Sequence, residues 1–410
     1  MGLMLRYFNA CVSRQGLFFR FHARDRRCFL QASFDTESNS PKTMASNKVM
    51  NFAPGPAKVP EEVIQQAYNE FLNYNNTGLS VCELTHRGAD FGKINDEAEA
   101  ALRELYQIPP NYKVLFMQGG GTGQFAVVPL NLCSSSDDVA DYIVTGTWSS
   151  KAAQEAEKYC RVNRVLPKTS VYTGIPDKSE WKLSNNAKYI YYCANETIHG
   201  IEFDFIPETN GVPLVCDMSS NVLTRPIDIT KFGVIFAGAQ KNAGIPGVTF
   251  VIVREDLLGK ALSICPTVFD YKITASNKSL YNTPPTFSVY VLGLVFKWVL
   301  ANGGISAMDK ISAVKSSLVY EVLDASNGFY HSVIKKENRS RMNIPFRIGG
   351  PAGSDELETK FLNEAKSRKM ISLKGHRSVG GIRISLFNAI TLDETKALVE
   401  FLKEFQANNQ

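Results

Sequence analysis

Lys241 closes the run Val234-Ile-Phe-Ala-Gly-Ala-Gln-Lys, where a strand-like apolar segment ends among small residues. An amine held there is partly withdrawn from water. That lowers its pKa and makes it nucleophilic, as a Schiff-base lysine requires, although a purely structural lysine is the plainer alternative. Asp217 closes a second such run, Val212-Pro-Leu-Val-Cys-Asp. A carboxylate after a buried strand is costly unless paired, so it either caps a turn or meets a cation such as a protonated ring nitrogen. Gln118-Gly-Gly-Gly-Thr-Gly-Gln-Phe-Ala follows a third apolar run. A glycine-rich turn that opens a helix offers backbone N–H groups to a phosphate, and a structural turn is the other reading. Gly121 to Ala126 also fits the dinucleotide form G-x-G-x-x-A, but the next strand, ending near Trp148, supplies no acid for a ribose. Trp148 itself offers an indole that either stacks on a flat ring or simply packs.

Taken in chain order, phosphate cup, stacking aromatic, ring-nitrogen acid and lysine describe a site for pyridoxal 5'-phosphate (PLP). A nicotinamide site would leave Lys241 and Asp217 without roles. All four features stand just after apolar runs, where ligands bind in α/β sheets. The runs Lys113 to Met117, Asp141 to Val144, Arg161 to Leu166, Tyr189 to Cys193, Pro213 to Cys216, Val234 to Phe236 and Val248 to Val253 are predicted strands. Helical spacing covers Pro60 to Tyr74, Asp96 to Tyr106 and Ser149 to Tyr159. Buried strands alternating with helices predict a mostly parallel sheet covered on both faces. Later helices at Gly304 to Leu323, Ser354 to Lys369 and Leu392 to Phe405, with a strand at Arg383 to Leu386, predict a smaller α/β domain. The expected division is an extension over residues 1–46, a large domain over 47–309 and a small one over 310–410.

Composition narrows the function classes. With 44% hydrophobic and 21% charged residues, the 410-residue chain is ordinary globular protein. The net charge is +5, and residues 1–43 alone carry seven basic against three acidic side chains. The remainder is nearly neutral, so no nucleic-acid partner is expected. Eight cysteines include no C-x-x-C pair, and five histidines include no metal-binding spacing. No metal and a reducing compartment follow. Val289 to Leu300 is too short for a membrane span and contains Lys297, so it reads as a buried helix and no membrane partner is expected. The Arg-, Phe- and Ser-rich first segment is either a mitochondrial targeting sequence or an extension upstream of a start at Met44. A cytoplasmic location is expected, with mitochondrial as the alternative.

The segments Asn51-Phe-Ala-Pro-Gly-Pro-Ala57, Glu83-Leu-Thr-His-Arg-Gly88, Asn195-Glu-Thr-Ile-His-Gly200, Asp217-Met-Ser-Ser220, Gly238-Ala-Gln-Lys-Asn242, Tyr281-Asn-Thr-Pro-Pro-Thr286 and Gly375-His-Arg-Ser-Val-Gly-Gly-Ile-Arg383 join the glycine-rich loop in a wider pattern. From Asn51 to the C-terminus, the chain resembles the phosphoserine aminotransferase family of class V. The resemblance implies a fold-type I PLP-dependent transferase with a seven-stranded, mostly parallel sheet. It also implies a homodimer with shared active sites. The implied reaction passes an amino group from glutamate to 3-phosphohydroxypyruvate, giving 2-oxoglutarate and O-phosphoserine in serine biosynthesis. Carried over by position, Lys241 would hold the cofactor and shuttle a proton, Asp217 would face the ring nitrogen, and Trp148 would stack. Thr197 would bond ring substituents, and Gly121, Thr122 and Gln240 would hold the phosphate end. Asn282 and Thr283 would reach in from the partner subunit. Arg383 would take the substrate α-carboxylate, while His86, Arg87, His376 and Arg377 would surround its phosphate. Some bacterial members carry a basic residue where this chain has Thr122, which shifts phosphate recognition toward those two His-Arg pairs. Alanine–glyoxylate aminotransferases and cysteine desulfurases are the nearest rivals, the latter needing a reactive cysteine such as Cys265.

Overall fold

A computed structural model of the chain describes residues 48–410, and the extension expected over 1–46 lies outside the described residues. Strand β1 (Met50–Asn51) precedes helices α1 (Glu61–Phe71) and α2 (Ala89–Tyr106). Strands and helices then alternate: β2 (Tyr112–Met117), α3 (Gly120–Leu132), β3 (Val139–Ile143), α4 (Thr147–Ala156), β4 (Arg161–Arg164) and β5 (Ala187–Cys193). A small hairpin follows, β6 (Asn195–Glu196) with β7 (Ile201–Glu202), and then β8 (Leu214–Asp217), β9 (Val234–Gly238) and β10 (Thr249–Arg254). Helices α5 (Tyr271–Ser276), α6 (Thr286–Ala301) and α7 (Gly304–Ala325) lead into the C-terminal part. That part holds β11 (Tyr330–His331), β12 (Asn343–Ile348), α8 (Asp355–Ser367), β13 (Met370–Ile371), β14 (Ile382–Ser385) and α9 (Leu392–Asn409).

The seven predicted strands form one sheet in the order β2-β10-β9-β8-β5-β3-β4. Only β10 runs antiparallel to its neighbours. Side chains alternate between two cores, as the two-residue period of a strand demands. Val114, Phe116, Ile235 and Ala237 enter one core, and Leu115, Met117, Val234 and Phe236 the other. Both faces of the sheet are therefore dry, and the exits for polar chemistry lie at the strand ends. Helix α6 is buried along most of its length against α2, with Gly293 set close to Ala98. Among the described residues no single helix is long and apolar enough to cross a membrane.

A further core gathers Phe346, Phe361, Ile382, Leu398 and Phe401 around β12, β14, α8 and α9. Phe52 is fully buried in it, and β1 pairs in parallel with β13. Beside it Lys315 of α7 is wholly buried and donates to the carbonyl oxygens of Leu386, Phe387 and Ile390 at 3.1, 2.9 and 2.8 Å. Three acceptors use all three ammonium protons, so the lysine pins the chain between β14 and α9. Removing it strands buried carbonyls, each worth about 1–3 kcal/mol, partly offset by release of a desolvated charge. Lys315→Met is expected to lower stability by roughly 2–4 kcal/mol. A chemical denaturation midpoint equal to wild type would show that these bonds contribute nothing net.

Candidate active site

Five strand ends of the large sheet and one residue of the C-terminal sheet surround a cavity of about 250 Å³. β2 runs into the glycine turn, where Gly119 has φ +95°, a backbone that side chains rarely adopt. Helix α3 starts one residue later, so its free N–H groups and positive dipole end open at the cavity. Gly121 and Thr122 line it there.

Beyond β3, Gly146 precedes α4 and Trp148 forms a wall of the cavity. The helix start is held by Glu196, from a distant hairpin. Its carboxylate accepts from Trp148 N at 3.0 Å, Ser149 N at 2.8 Å and Ser149 Oγ at 2.6 Å. A Cβ at position 146 would run into that carboxylate, so glycine is needed for the approach. Burial pushes the Glu196 pKa up, and these hydrogen bonds oppose the shift. Glu196 therefore orients the indole without touching the cavity.

Asp217, at the end of β8, is 5% exposed and lines the floor. Its Oδ1 accepts from Ser219 N at 2.8 Å, and no ion pair reaches it among the described residues. Burial raises its pKa, with the Ser219 bonds and the Lys241 charge acting against this. Lys241 follows β9, and its Nζ donates to Thr197 Oγ1 at 2.7 Å. Burial lowers its pKa most, and Arg383 adds to that, while Asp217, Cys193 and Glu196 pull the other way. The next residue, Asn242, accepts from Asn388 N at 2.9 Å, tying the lysine segment to the C-terminal part.

Arg383 comes from β14 of the other sheet and is only 6% exposed. Among the described residues its guanidinium donates only to Thr197 O, at 3.4 Å, and its Nε has no partner. Burial brings its pKa down to about 10 with no counter-charge to restore it, though it stays cationic at neutral pH. A buried, unpaired guanidinium facing a cavity is a receptor for a carboxylate. His376 lines the mouth, its Nδ1 within 2.7 Å of Ser378 Oγ.

Of the residues singled out from sequence, Gly121, Thr122, Trp148, Thr197, Asp217, Gln240, Lys241, His376 and Arg383 meet at this cavity. His86, Arg87, Arg377, Asn282 and Thr283 do not line it. Arg87, Arg377, Asn282 and Thr283 are exposed, and Thr283 O accepts from Gln118 at 2.9 Å. His86 is half-buried, with Nε2 unpartnered. Sequence reasoning missed Glu196, Ser219 and Asn242. Glu196 stood in the sequence as an acid just beyond the apolar β5 run and inside the segment Asn195 to Gly200, without a role assigned to it.

The donor set fits PLP. A cofactor with a phosphate, a flat ring, a basic ring nitrogen and an aldehyde needs a cradle of amides, an aromatic wall, a buried acid and a deprotonatable amine. The α3 start, Trp148, Asp217 and Lys241 supply them in one cavity, and the Asp217 carboxylate is left without a cation of its own.

Comparison with known proteins agrees with this geometry. The family described as Aminotransferase class-V matches residues 49–398. Phosphoserine aminotransferase of Drosophila melanogaster is 55% identical over 363 residues, covering 88% of this chain and all (100%) of the relative. The solved phosphoserine aminotransferase of Bacillus circulans subsp. alkalophilus superposes with TM-score 0.85 at 42% identity, covering 88% of this chain and 99% of its own. A PLP-bound phosphoserine aminotransferase from Trichomonas vaginalis gives TM-score 0.83 at 42% identity, covering 87% and 100%.

Proposed function

Because the chain belongs to the phosphoserine aminotransferases of the class-V aminotransferase family, we propose that it transfers the amino group of glutamate to 3-phosphohydroxypyruvate. The products are 2-oxoglutarate and O-phosphoserine, a step of serine biosynthesis. The chain is a PLP-dependent enzyme of fold type I. The observation that carries the reading is the meeting of Lys241, Asp217 and the unpaired Arg383 in one cavity.

Lys241 would hold PLP through Nζ, Asp217 would keep the ring nitrogen protonated, Trp148 would stack on the ring and Thr197 would hydrogen-bond its substituents. Gly121, Thr122 and Gln240 would hold the phosphate end. When bound, PLP supplies an electron sink for the charge left as a proton departs from a substrate carbon. The protein's own part is positioning and proton transfer. Arg383 binds the α-carboxylate common to both amino acids and both keto acids. Lys241 Nζ, its basicity lowered by burial, would carry the proton between the substrate Cα and the cofactor carbon. The Asp217 carboxylate, kept from water, provides the negative charge that a ring-nitrogen proton needs.

The rival desulfurase chemistry needs an activated thiolate. Burial instead drives the Cys193 thiol at the cavity well upward and the Cys265 thiol up to about 11. His376 is the phosphate-side residue that lines the cavity, and Arg87 belongs to the same proposed phosphate-binding set. His376→Asn or Arg87→Met is expected to raise the KM for 3-phosphohydroxypyruvate about tenfold, with a much smaller change for glutamate. Steady-state kinetics with both substrates checks this, and equal effects on the two would refute the assignment. A coupled assay comparing 3-phosphohydroxypyruvate with hydroxypyruvate, pyruvate and glyoxylate tests the function itself. Turnover confined to unphosphorylated acceptors would move the protein to a neighbouring family.

A homodimer with shared sites is part of the same reading. It is supported by the exposure of Asn282 and Thr283, which stand outside their own chain's cavity. Sedimentation of the holoenzyme as a monomer would overturn it. We also infer a cytoplasmic enzyme. Import of a reporter carrying residues 1–46 into mitochondria would replace that inference.

A further inference from the structure

Lys151 lies on α4, one turn beyond Trp148, and its ammonium stands 4.9 Å from the centroid of the indole ring. Trp148 is a wall of the cavity, so this cation–π contact holds a positive charge against a residue of the site, although Lys151 itself does not line the cavity. The acids nearest along the helix are already engaged. Glu155 pairs with Lys158, and Glu157 pairs with Arg164, which leaves Lys151 without a carboxylate among the described residues.

The neighbourhood is cationic throughout. The charges that act on the His376 ring are those of Arg383, Arg377 and Lys151, and each lowers its pKa in addition to the larger effect of burial. Among the described residues no acidic group opposes them there. Basic groups gathered without an acid between them repel one another until an anion arrives, and a dianion relieves that repulsion most. Arg383 is buried, whereas Lys151 and Arg377 are exposed. The set therefore runs from a buried cation to exposed ones. It matches a molecule with a carboxylate at depth and a more highly charged group at the mouth.

We propose that Lys151 is a further substrate-binding residue, meeting the phosphoryl group of the acceptor beside His376 and Arg377 and so favouring phosphorylated over unphosphorylated keto acids. The proposal rests on the phosphoserine aminotransferase reading above. Stacking on Trp148 lets the flexible lysine stay near the rim while keeping its donors free for the ligand.

Lys151→Met in the holoenzyme is expected to raise the KM for 3-phosphohydroxypyruvate about tenfold, the size of one charge-assisted contact. The KM for unphosphorylated hydroxypyruvate should scarcely move. Lys151→Arg should stay near wild type, and Lys151→Glu should be worse than Met. Inorganic phosphate, tested as a competitive inhibitor and by calorimetric titration without turnover, should lose affinity in the same order. Equal KM changes for phosphorylated and unphosphorylated acceptors, or unchanged phosphate affinity, would mean that Lys151 only packs on the indole. A wild type that prefers the phosphorylated acceptor while Lys151→Met keeps its KM overturns this proposal alone. A wild type indifferent to the phosphoryl group overturns the functional reading and this proposal together.

Discussion

Lys241→Ala should abolish transamination, with kcat falling by at least roughly 10⁴-fold, because one side chain is both anchor and proton carrier. The amine is withdrawn from water, hydrogen-bonded among the described residues only to Thr197 Oγ1, and depressed in basicity chiefly by burial. Those features suit an amine that must be free of its proton near neutral pH. No neighbouring group can take over the role. Cys193, also at the cavity, has its thiol pushed far up by burial and donates to Asn195 O. The fold should survive. The mutation removes one hydrogen bond and also a desolvated amine, two effects of opposite sign. The measurements are single-turnover kinetics and borohydride treatment, which should fix the cofactor to the wild type and not to the variant. Wild-type-like turnover in Lys241→Ala would overturn the assignment of the site.

The second large effect is expected at Arg383. Its guanidinium is buried, and among the described residues no carboxylate pairs with it. Such a group is costly to the fold and is paired only when a carboxylate enters. Arg383→Met should raise the KM of glutamate and of 3-phosphohydroxypyruvate alike, by about a hundredfold or more, since a charged bidentate contact is worth about 3 kcal/mol or more. The same variant without substrate should melt no lower than wild type, because a desolvated charge has been replaced by apolar volume. Arg383→Lys should restore only part of the affinity, as an ammonium cannot match the two carboxylate oxygens together. A defect confined to the phosphorylated acceptor would place Arg383 at the other end of the substrate.

These two residues mark the boundary between what the chain states locally and what folding adds. Lys241, Asp217, Trp148 and the Gly119–Gly121 turn each stand just after an apolar run. Strand, exit and polar residue are neighbours in sequence there, so local pattern is enough to find them. The seven strands were legible for a related reason. A sheet buried on both faces needs nearly continuous apolar runs, and those runs are visible without knowing their partners. Their order was not, because pairing depends on which edges meet in space. Nothing within Val248 to Val253 says that this strand alone runs antiparallel between β2 and β9.

The same holds for contacts between distant segments. Glu196 caps α4 from another hairpin, and Asn242 is tied to Asn388. Phe52 fills a core made by the far end of the chain, and Arg383 crosses from the second sheet to stand beside Thr197. The sequence by itself determined the chemistry available, since residue type and its place after a strand decide what a side chain can do. Only the tertiary structure decided which charges would go unpaired. Burial and pairing are properties of the packed neighbourhood, and Arg383 becomes a buried cation beside the cavity only once both sheets have closed around it.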